Sequence, residues 1–567
     1  MTPRTHPTVH AAVGPSFGAS AARSRACGRI GGVLGEADST AANRLAAALG
    51  PNAQVFPAHG ACVADFDGCR LDDQSLASPA EWSEIIRSGR LADVTGAFAV
   101  AWGDPDGTLH LARDGIGERT LFYAPTARGL VFASSVSAVL ATGLVPKKLN
   151  LRAVAAYLCY AYLPGCETLA AGVYELLPGE HLTFGPAGLR REPFWELPVP
   201  PLDSAPEAEQ SAKLRAILER AVRERLPPPG EPVGATLSGG IDSSLVVALA
   251  RRLHDGPVFT YSVSFGAGYA NELPFSSLVA DHCGTDHRIV ELSPAAVLHY
   301  LDDSVALLGD PIGDPLTVPN SLLFREAAGQ VGAVLNGEGG DPCFGGPKNL
   351  PMVLSELYAG GERSRTAAYL RAHLKCYDDL PELLADPVRD AIAANPLEND
   401  LAEPLRDPRR ADFVSRLQAV NIRLKGGHHI LPKIDALSFP FGVVPRSPLF
   451  DRNVVEFSLG IPPRLKLNGS VEKYLLKRAV SDLLPREVID RPKSGMLVPV
   501  EGWFQGPLLP AARERLLDGL RPYGLFRREY LEQLLAGKLG GLRPRHGAKI
   551  WLLVTLEAWL RRTLNNG

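Results

Sequence analysis

The sequence is short of several things that would have narrowed it quickly. Its eight cysteines are scattered over 567 residues with no CxxC pair. That spacing gives no disulfide framework and no structural zinc site, and it reads as reduced thiols of a cytoplasmic protein. No run of 18 apolar residues occurs, so no membrane-spanning helix is expected. Acidic and basic residues nearly cancel, 62 against 59. The chain therefore lacks the charge surplus that nucleic acid or an anionic bilayer would require, and neither is expected as a partner. A Walker A loop is missing too. What is present is an ordinary globular balance, 46% hydrophobic and 21% charged. The chain is about twice the size at which one core stops growing, roughly 250–300 residues, so two domains are expected.

Residues 1–26 are rich in Thr, Ala, Ser, His and Arg and read as a flexible tail. From Cys27 to about Trp195 short apolar runs such as Ala97–Trp102, Leu109–Ala112 and Leu130–Ala133 alternate with Gly, Asp and Pro. These are strand-length segments separated by turns. Residues 151–162 carry a helical pattern, and Tyr157, Tyr160 and Tyr162 read as core or interface packing. Pro198, Pro200 and Pro201 mark a linker. Beyond it strands (Val233–Leu237, Val258–Phe265, His287–Leu292, Ala333–Leu335) alternate with helices, which predicts a parallel sheet flanked by helices. The last 200 or so residues read as mostly helical.

The sharpest chemical signal is Leu237-Ser-Gly-Gly-Ile-Asp-Ser-Ser244, placed where a strand ends and a helix begins. Such a junction offers free backbone N–H groups and the positive end of a helix dipole, both suited to phosphate. Gly239 and Gly240 let an anion approach the backbone, while Ser238 and Ser243 add hydroxyl donors. Asp242 would repel phosphate unless a cation such as Mg²⁺ stood between them. A second glycine-rich turn, Asn336-Gly-Glu-Gly-Gly-Asp-Pro-Cys-Phe-Gly-Gly346, follows another strand and carries two carboxylates. Ligands of open parallel sheets collect at strand carboxyl ends, so both turns could face one nucleotide.

The first turn resembles the SGGxDS pyrophosphate loop of the ATP pyrophosphatases, and the second resembles the S-G-E-G-[GS]-D-E-x-F-G-G motif of the asparagine synthetase family. Asn336 and Pro342 depart from that pattern. The resemblance extends to Tyr261-Ser-Val-Ser-Phe265, Leu431-Pro-Lys-Ile-Asp435, Pro448-Leu-Phe-Asp451 and Arg491-Pro-Lys-Ser-Gly495. It implies a nucleotide site of Leu237, Ser238, Gly239, Gly240, Asp242, Ser243, Val263, Asn336 and Gly337. It also implies Mg²⁺ on Asp242 and Asp341, and catalytic roles for Glu338 and Lys493. The implied chemistry is ATP-dependent adenylation of a carboxylate, release of pyrophosphate, and amide formation with an amine.

The amino-terminal half is similar to the amidotransferase sandwich of the same family, through Asp114–Tyr123 and Phe132–Ser135. The implied fold is α/β: an Ntn-amidotransferase-like, β-rich sandwich over 27–200 and an ATP-pyrophosphatase domain over 201–567. A working glutaminase of this type uses an amino-terminal cysteine whose free amine is the base. Cys27 lies behind 26 residues, no R-G-P-D follows it at the expected distance, and Ala97 replaces an acidic position. The half therefore reads as catalytically inactive. That disabled half resembles β-lactam synthetases and lasso-peptide macrolactam cyclases, although the acidic partner used as base in the β-lactam branch is Val444 here. The expected substrate is a small molecule or peptide bearing a carboxylate and an amine, with a homo-oligomer or a biosynthetic partner protein left open. The alternative is a glutamine-hydrolysing asparagine synthetase. Arg423 and Lys425 read as a solvated face, with contact to phosphate or substrate as the alternative, and the adjacent pair His428 and His429 is weak evidence for a metal.

Overall fold

The computed structural model describes residues 6–11, 28–35, 39–51, 53–57, 60–76, 78–127, 129–346, 352–354, 362–372, 375–410, 412–491, 497–540 and 545–564. The amino-terminal half is built from two stacked sheets. One runs, in spatial order, Tyr174–Glu175, Phe122–Thr126, Gly129–Ala133, Ile30–Gly35 and Gln54–Val55. The other is antiparallel throughout: Gly188–Pro193, Glu180–Gly185, Leu109–Arg113, Thr95–Gly103, Cys62–Leu71 and Gln74–Ser75. Alternating inward side chains of the two sheets, among them Ile30, Phe132, Ala99, Leu111 and Leu182, close on one another as a dry layer. This is how a sandwich buries the single apolar face of each sheet. The outer face of the second sheet is covered by the helix Pro79–Arg87 through Trp82, Ile85 and Ile86.

The carboxyl-terminal half holds a six-stranded sheet of order Thr8–His10, Asp286–Glu291, Val258–Ser264, Val233–Thr236, Ala333–Leu335 and Val444–Arg446. Every pairing in it is parallel. The strands Val233–Thr236 and Ala333–Leu335 are almost wholly buried, as expected of strands covered on both faces. They are also direct neighbours, with Ala235 opposite Leu335. Their carboxyl ends therefore deliver the two glycine-rich turns side by side. The expected strand–helix alternation is present, from the helix Glu207–Arg223 through Ile241–Leu253 and Leu273–Cys283 to Thr317–Ala328. The rest of the described residues of this half are mostly helical, apart from the short hairpin Leu467–Asn468 and Val471–Glu472, and end in the helix His546–Thr563.

One expectation is corrected. Residues 1–26 were read as a flexible tail, yet Thr8–His10 is the edge strand of the parallel sheet. Ala11 N–H donates to Glu291 O at 2.9 Å, and His6 stands edge-on to His287. A three-residue strand is too short to show a period in sequence. It succeeds by satisfying the exposed backbone groups of the edge it covers.

The two halves share a continuous apolar core that includes Tyr157, Leu158 and Cys159, and Tyr157 Oη donates to Leu552 O of the carboxyl-terminal helix at 3.0 Å. All three expected tyrosines are buried. Ion pairs stitch the seam. Arg446 is held by both Asp67 oxygens at 3.0 Å, Arg119 reaches Asp435 at 3.2 Å, and Arg225, paired with Asp451 of its own half at 2.7 Å, reaches Glu118 at 4.0 Å. Arg113 joins Glu175 at 2.6 Å, and Glu175 in turn meets His428 at 2.9 Å. No helix of the described residues is long and apolar enough to cross a membrane. The seven described cysteines are free thiols.

Candidate active site

The Leu237–Gly240 turn leaves the strand Val233–Thr236 and enters the helix Ile241–Leu253 with Gly240 as its cap. Gly239 has φ +74°, and a Cβ there would lie 2.6 Å from Phe275 Cβ and Ser276 N. Only glycine fits both the angle and the space. The turn is closed on itself. Ser243 Oγ accepts from Ser238 N at 3.1 Å, lies 3.0 Å from Ser238 Oγ and donates to Gly240 O at 3.2 Å. Both hydroxyls and the first-turn N–H groups thus converge where an anion would sit. Arg491 fixes the turn from outside. It donates to Gly239 O at 3.2 Å and to Glu272 at 2.5 Å, with its guanidinium 4.0 Å from the Phe275 ring centre.

The second turn packs directly on the first. A Cβ on Gly337 would lie 2.4 Å from Ser243 N, so glycine is what permits this approach. Asn336 accepts from Glu338 N at 3.1 Å and donates to Arg446 O at 3.1 Å, anchoring the turn to the strand Val444–Arg446. The Arg446–Asp67 pair carries that anchor across to the amino-terminal half.

Where the turns meet, the Lys473 ammonium contacts both carboxylates, Asp242 Oδ2 at 2.5 Å and Asp341 Oδ1. Lys473 is 2% exposed, Asp242 is 7% exposed, and the lysine backbone is left-handed at φ +56°. A buried carboxylate, Asp242, and a half-buried one, Asp341, so close would repel each other. A shared cation removes that cost, and removal of any one partner leaves uncompensated charge. Sequence reasoning missed Lys473. It follows the short hairpin of residues 467–472 as the cap of the helix Tyr474–Ala479, 231 residues after Asp242, with no local pattern to mark it.

Two carboxylates that reach one ammonium also reach one small cation. Hard oxygen donors with phosphate oxygens to complete the shell are the set Mg²⁺ takes, so Asp242 and Asp341 fit that ion. Among the described residues no three His, Cys, Asp or Glu side chains form a metal cluster, so an ion here would depend on phosphate ligands.

A cavity of about 280 Å³ opens beside the two turns. Leu237, Ser238, Asp242, Ser243, Val263, Asn336, Gly337, Glu338 and Asp341 all line it, bringing together most of the expected site. Gly239 and Gly240 shape the turn without lining the cavity. Lys493 lies outside the described residues. Lys425, read as a solvated surface charge, lines the cavity, whereas Arg423 is exposed as expected. The reason is local. Residues Asn421–Ile430 form a π-helical stretch, wider than 3.6 residues per turn, which rotates successive side chains off the ordinary helical face. His428 and His429 bind no common centre, since His429 stacks on Tyr162 and faces Asp314 at 3.3 Å.

The second turn also rests on a buried lysine. Lys466, 2% exposed, donates to Gln418 Oε1 at 2.5 Å, and Gln418 donates to Cys343 O at 2.6 Å. Burial pulls the Lys466 ammonium down to about 7, since its hydrogen-bond partner is a neutral amide.

Comparison with known proteins gives the following. The sequence profile of the Asparagine synthase family matches residues 213–561, and that of the Glutamine amidotransferase domain matches residues 84–195. The glutamine-hydrolyzing asparagine synthetase 1 of Bacillus subtilis (strain 168) is 26% identical over 493 residues, 82% of this chain and 77% of its own. A putative glutamine-hydrolyzing asparagine synthetase of Mycobacterium tuberculosis (strain ATCC 25618 / H37Rv) is 28% identical over 501 residues, 80% and 73%. The carboxyethyl-arginine beta-lactam-synthase of Streptomyces clavuligerus is 28% identical over 408 residues, 71% and 64%.

Lys473→Met strands the buried Asp242 carboxylate beside the half-buried Asp341 and lowers stability by ~3 kcal/mol. Thermal unfolding in EDTA checks this, and millimolar Mg²⁺ recovers part of the loss in the variant. Unchanged melting would contradict the bridging role. The Lys466 shift predicts a pH dependence. Its folded-state value lies below the ordinary 10.5, so the unfolded chain binds the extra proton. Stability from this group is complete above about 10.5 and is lost as pH falls towards about 7. Relative to Lys466→Met, the wild type gains up to about 1.4 kcal/mol per pH unit across that window. Parallel unfolding curves for the two proteins would contradict it.

Proposed function

This chain belongs to the asparagine synthase family, whose members are ATP-dependent carbon–nitrogen ligases, and from that premise we propose that it adenylates a carboxylate and transfers the acyl group to an amine. The observation that carries the reading is the pair of abutting turns, whose carboxylates Asp242 and Asp341 converge on one point beside a cavity. A triphosphate gripped there has its β- and γ-phosphates at the helix N-terminus, among Ser238, Ser243 and the backbone N–H groups. Leu237, Tyr261 and Val263 offer the adenine an apolar wall.

The substrate carboxylate attacks the α-phosphorus, the α–β bridge breaks, and pyrophosphate leaves with the bridging electrons. Mg²⁺, when bound by Asp242 and Asp341, offsets charge on the leaving pyrophosphate. Lys473 supplies a second cation at the same point and can turn from the carboxylates to phosphate as the site fills. The amine then attacks the acyl-adenylate carbonyl, AMP departs, and the amine proton passes to a base. Glu338, on the second turn and lining the cavity, is the carboxylate best placed among the expected residues to accept it. By family resemblance Lys493 offsets charge on the tetrahedral centre.

In this reading the amidotransferase-like half serves as a structural partner. Asp65, a carboxylate of its central sheet, is engaged by Arg119. Its contribution is the Asp67–Arg446 brace behind the second turn. The amine is then supplied as such, within the acid's own molecule or by a second one, for lactam, macrolactam or amide formation.

Asp242→Ala and Asp341→Ala each lower acid-dependent ATP–pyrophosphate exchange by ~100-fold or more, with exchange measured on isotopically labelled pyrophosphate. The wild type releases no glutamate from glutamine. Full exchange in Asp242→Ala, or stoichiometric glutaminase activity coupled to ATP use, would favour the alternative or sink the mechanism.

A further inference from the structure

The cavity carries one feature the phosphate chemistry does not use. Of its lining side chains only Lys425 is basic, against Asp242, Glu272, Glu338 and Asp341. Among the described residues the Lys425 ammonium makes no hydrogen bond or ion pair. The side-chain amide of Asn320, on the helix Thr317–Ala328 and lining the same cavity, makes none either.

The neighbourhood of Lys425 is cationic. Burial lowers the Lys375 ammonium, and the charges of Arg545 and Lys425 push it the same way. Burial first, then Lys433 and Lys425, hold His429 at about 4. Asp314, the carboxylate of this cluster, is already engaged by Lys433 at 2.5 Å and His429 at 3.3 Å. An ammonium kept among like charges, facing a cavity, is stabilised by an anion that enters from outside. The π-helical turn is what aims it there.

The surroundings of the two polar groups are apolar. Leu316 lies one turn before Asn320, and Ile430 and Ile434 follow Lys425 on the next turns; all three line the cavity. They are separate from Leu237, Tyr261 and Val263 on the strand side, and from the donors of the phosphate turns.

The geometry points to this wall as the seat of the acid substrate, with its carboxylate on Lys425 and Asn320 and its apolar body against Leu316, Ile430 and Ile434. The substrate class is therefore a hydrophobic carboxylic acid and not a small polar diacid. This rests on the ligase reading and deepens it. Lys425 acts here as a specificity-determining residue. It neutralises the carboxylate as that group is brought towards the negatively charged triphosphate.

The test is calorimetric titration of the protein saturated with Mg²⁺ and α,β-methylene-ATP. The probes are hexanoate, phenylacetate and N-acetyl-leucine against aspartate and succinate. At least one apolar acid is expected to bind tenfold or more tightly than either diacid. Lys425→Gln weakens that acid by at least tenfold, Lys425→Arg recovers part of it, and nucleotide affinity stays within twofold in both. Tighter binding of aspartate or succinate, no binding by any probe, or unchanged acid affinity in Lys425→Gln would overturn the assignment. So would a loss of nucleotide affinity in that variant, which would put Lys425 on the triphosphate. Pyrophosphate exchange with the best-bound acid then separates the two readings. Lys425-dependent binding without exchange would leave the acid seat standing and remove the ligase chemistry.

Discussion

Three charges at one point, Lys473 between Asp242 and Asp341, hold the candidate active site together. Each carboxylate belongs to a different glycine-rich turn, and each turn ends a different strand. The strands are neighbours in a parallel sheet, so the sheet sets the separation of the turns and the lysine sets their contact. Like charges this close, one of them buried, are tolerated with such a shared counter-ion. On the proposed reading the same constraint suits the site to a cation and phosphate together, because the carboxylates are pre-gathered around one ammonium.

The rest of the molecule reads as support for that point. Asn336 pins the second turn to the strand Val444–Arg446, and Arg446 is pinned in turn by Asp67 of the amino-terminal sandwich. Beneath, Lys466 and Gln418 hold the carbonyl of Cys343. On the other turn Arg491 holds the carbonyl of Gly239. Three of these braces, from Asn336, Gln418 and Arg491, are hydrogen bonds to backbone carbonyls, so their loss would leave polar atoms unsatisfied next to the candidate site. On the proposed reading, in which the amidotransferase-like half supplies no ammonia, that half is still needed for this reason.

Much of this was legible in sequence because the informative features are local. A strand, two glycines, an acid and a hydroxyl within eight residues mark the first turn, and the second turn is as compact. Strand–helix alternation marked the parallel sheet; of the motif aspartates, Asp435 pairs across the seam with Arg119, whereas Asp451 pairs with Arg225 inside its own half. What escaped was non-local or off-period. Lys473 meets Asp242 only through the fold. Lys425 reads as solvated in sequence, whereas its π-helical turn brings it to the cavity off the ordinary 3.6-residue period. The Thr8–His10 strand is shorter than any pattern, and its partner lies nearly 280 residues away.

The central claim is that two carboxylate-bearing turns, drawn together at Lys473, grip a triphosphate so that it breaks between the α- and β-phosphates. Hydroxylamine can stand in for the unknown amine, with Mg·ATP and the carboxylic acid that binds best. Chromatography of the nucleotide products then decides the matter. The account predicts AMP and pyrophosphate in equal amounts, matched by acyl hydroxamate. ADP with orthophosphate would contradict it.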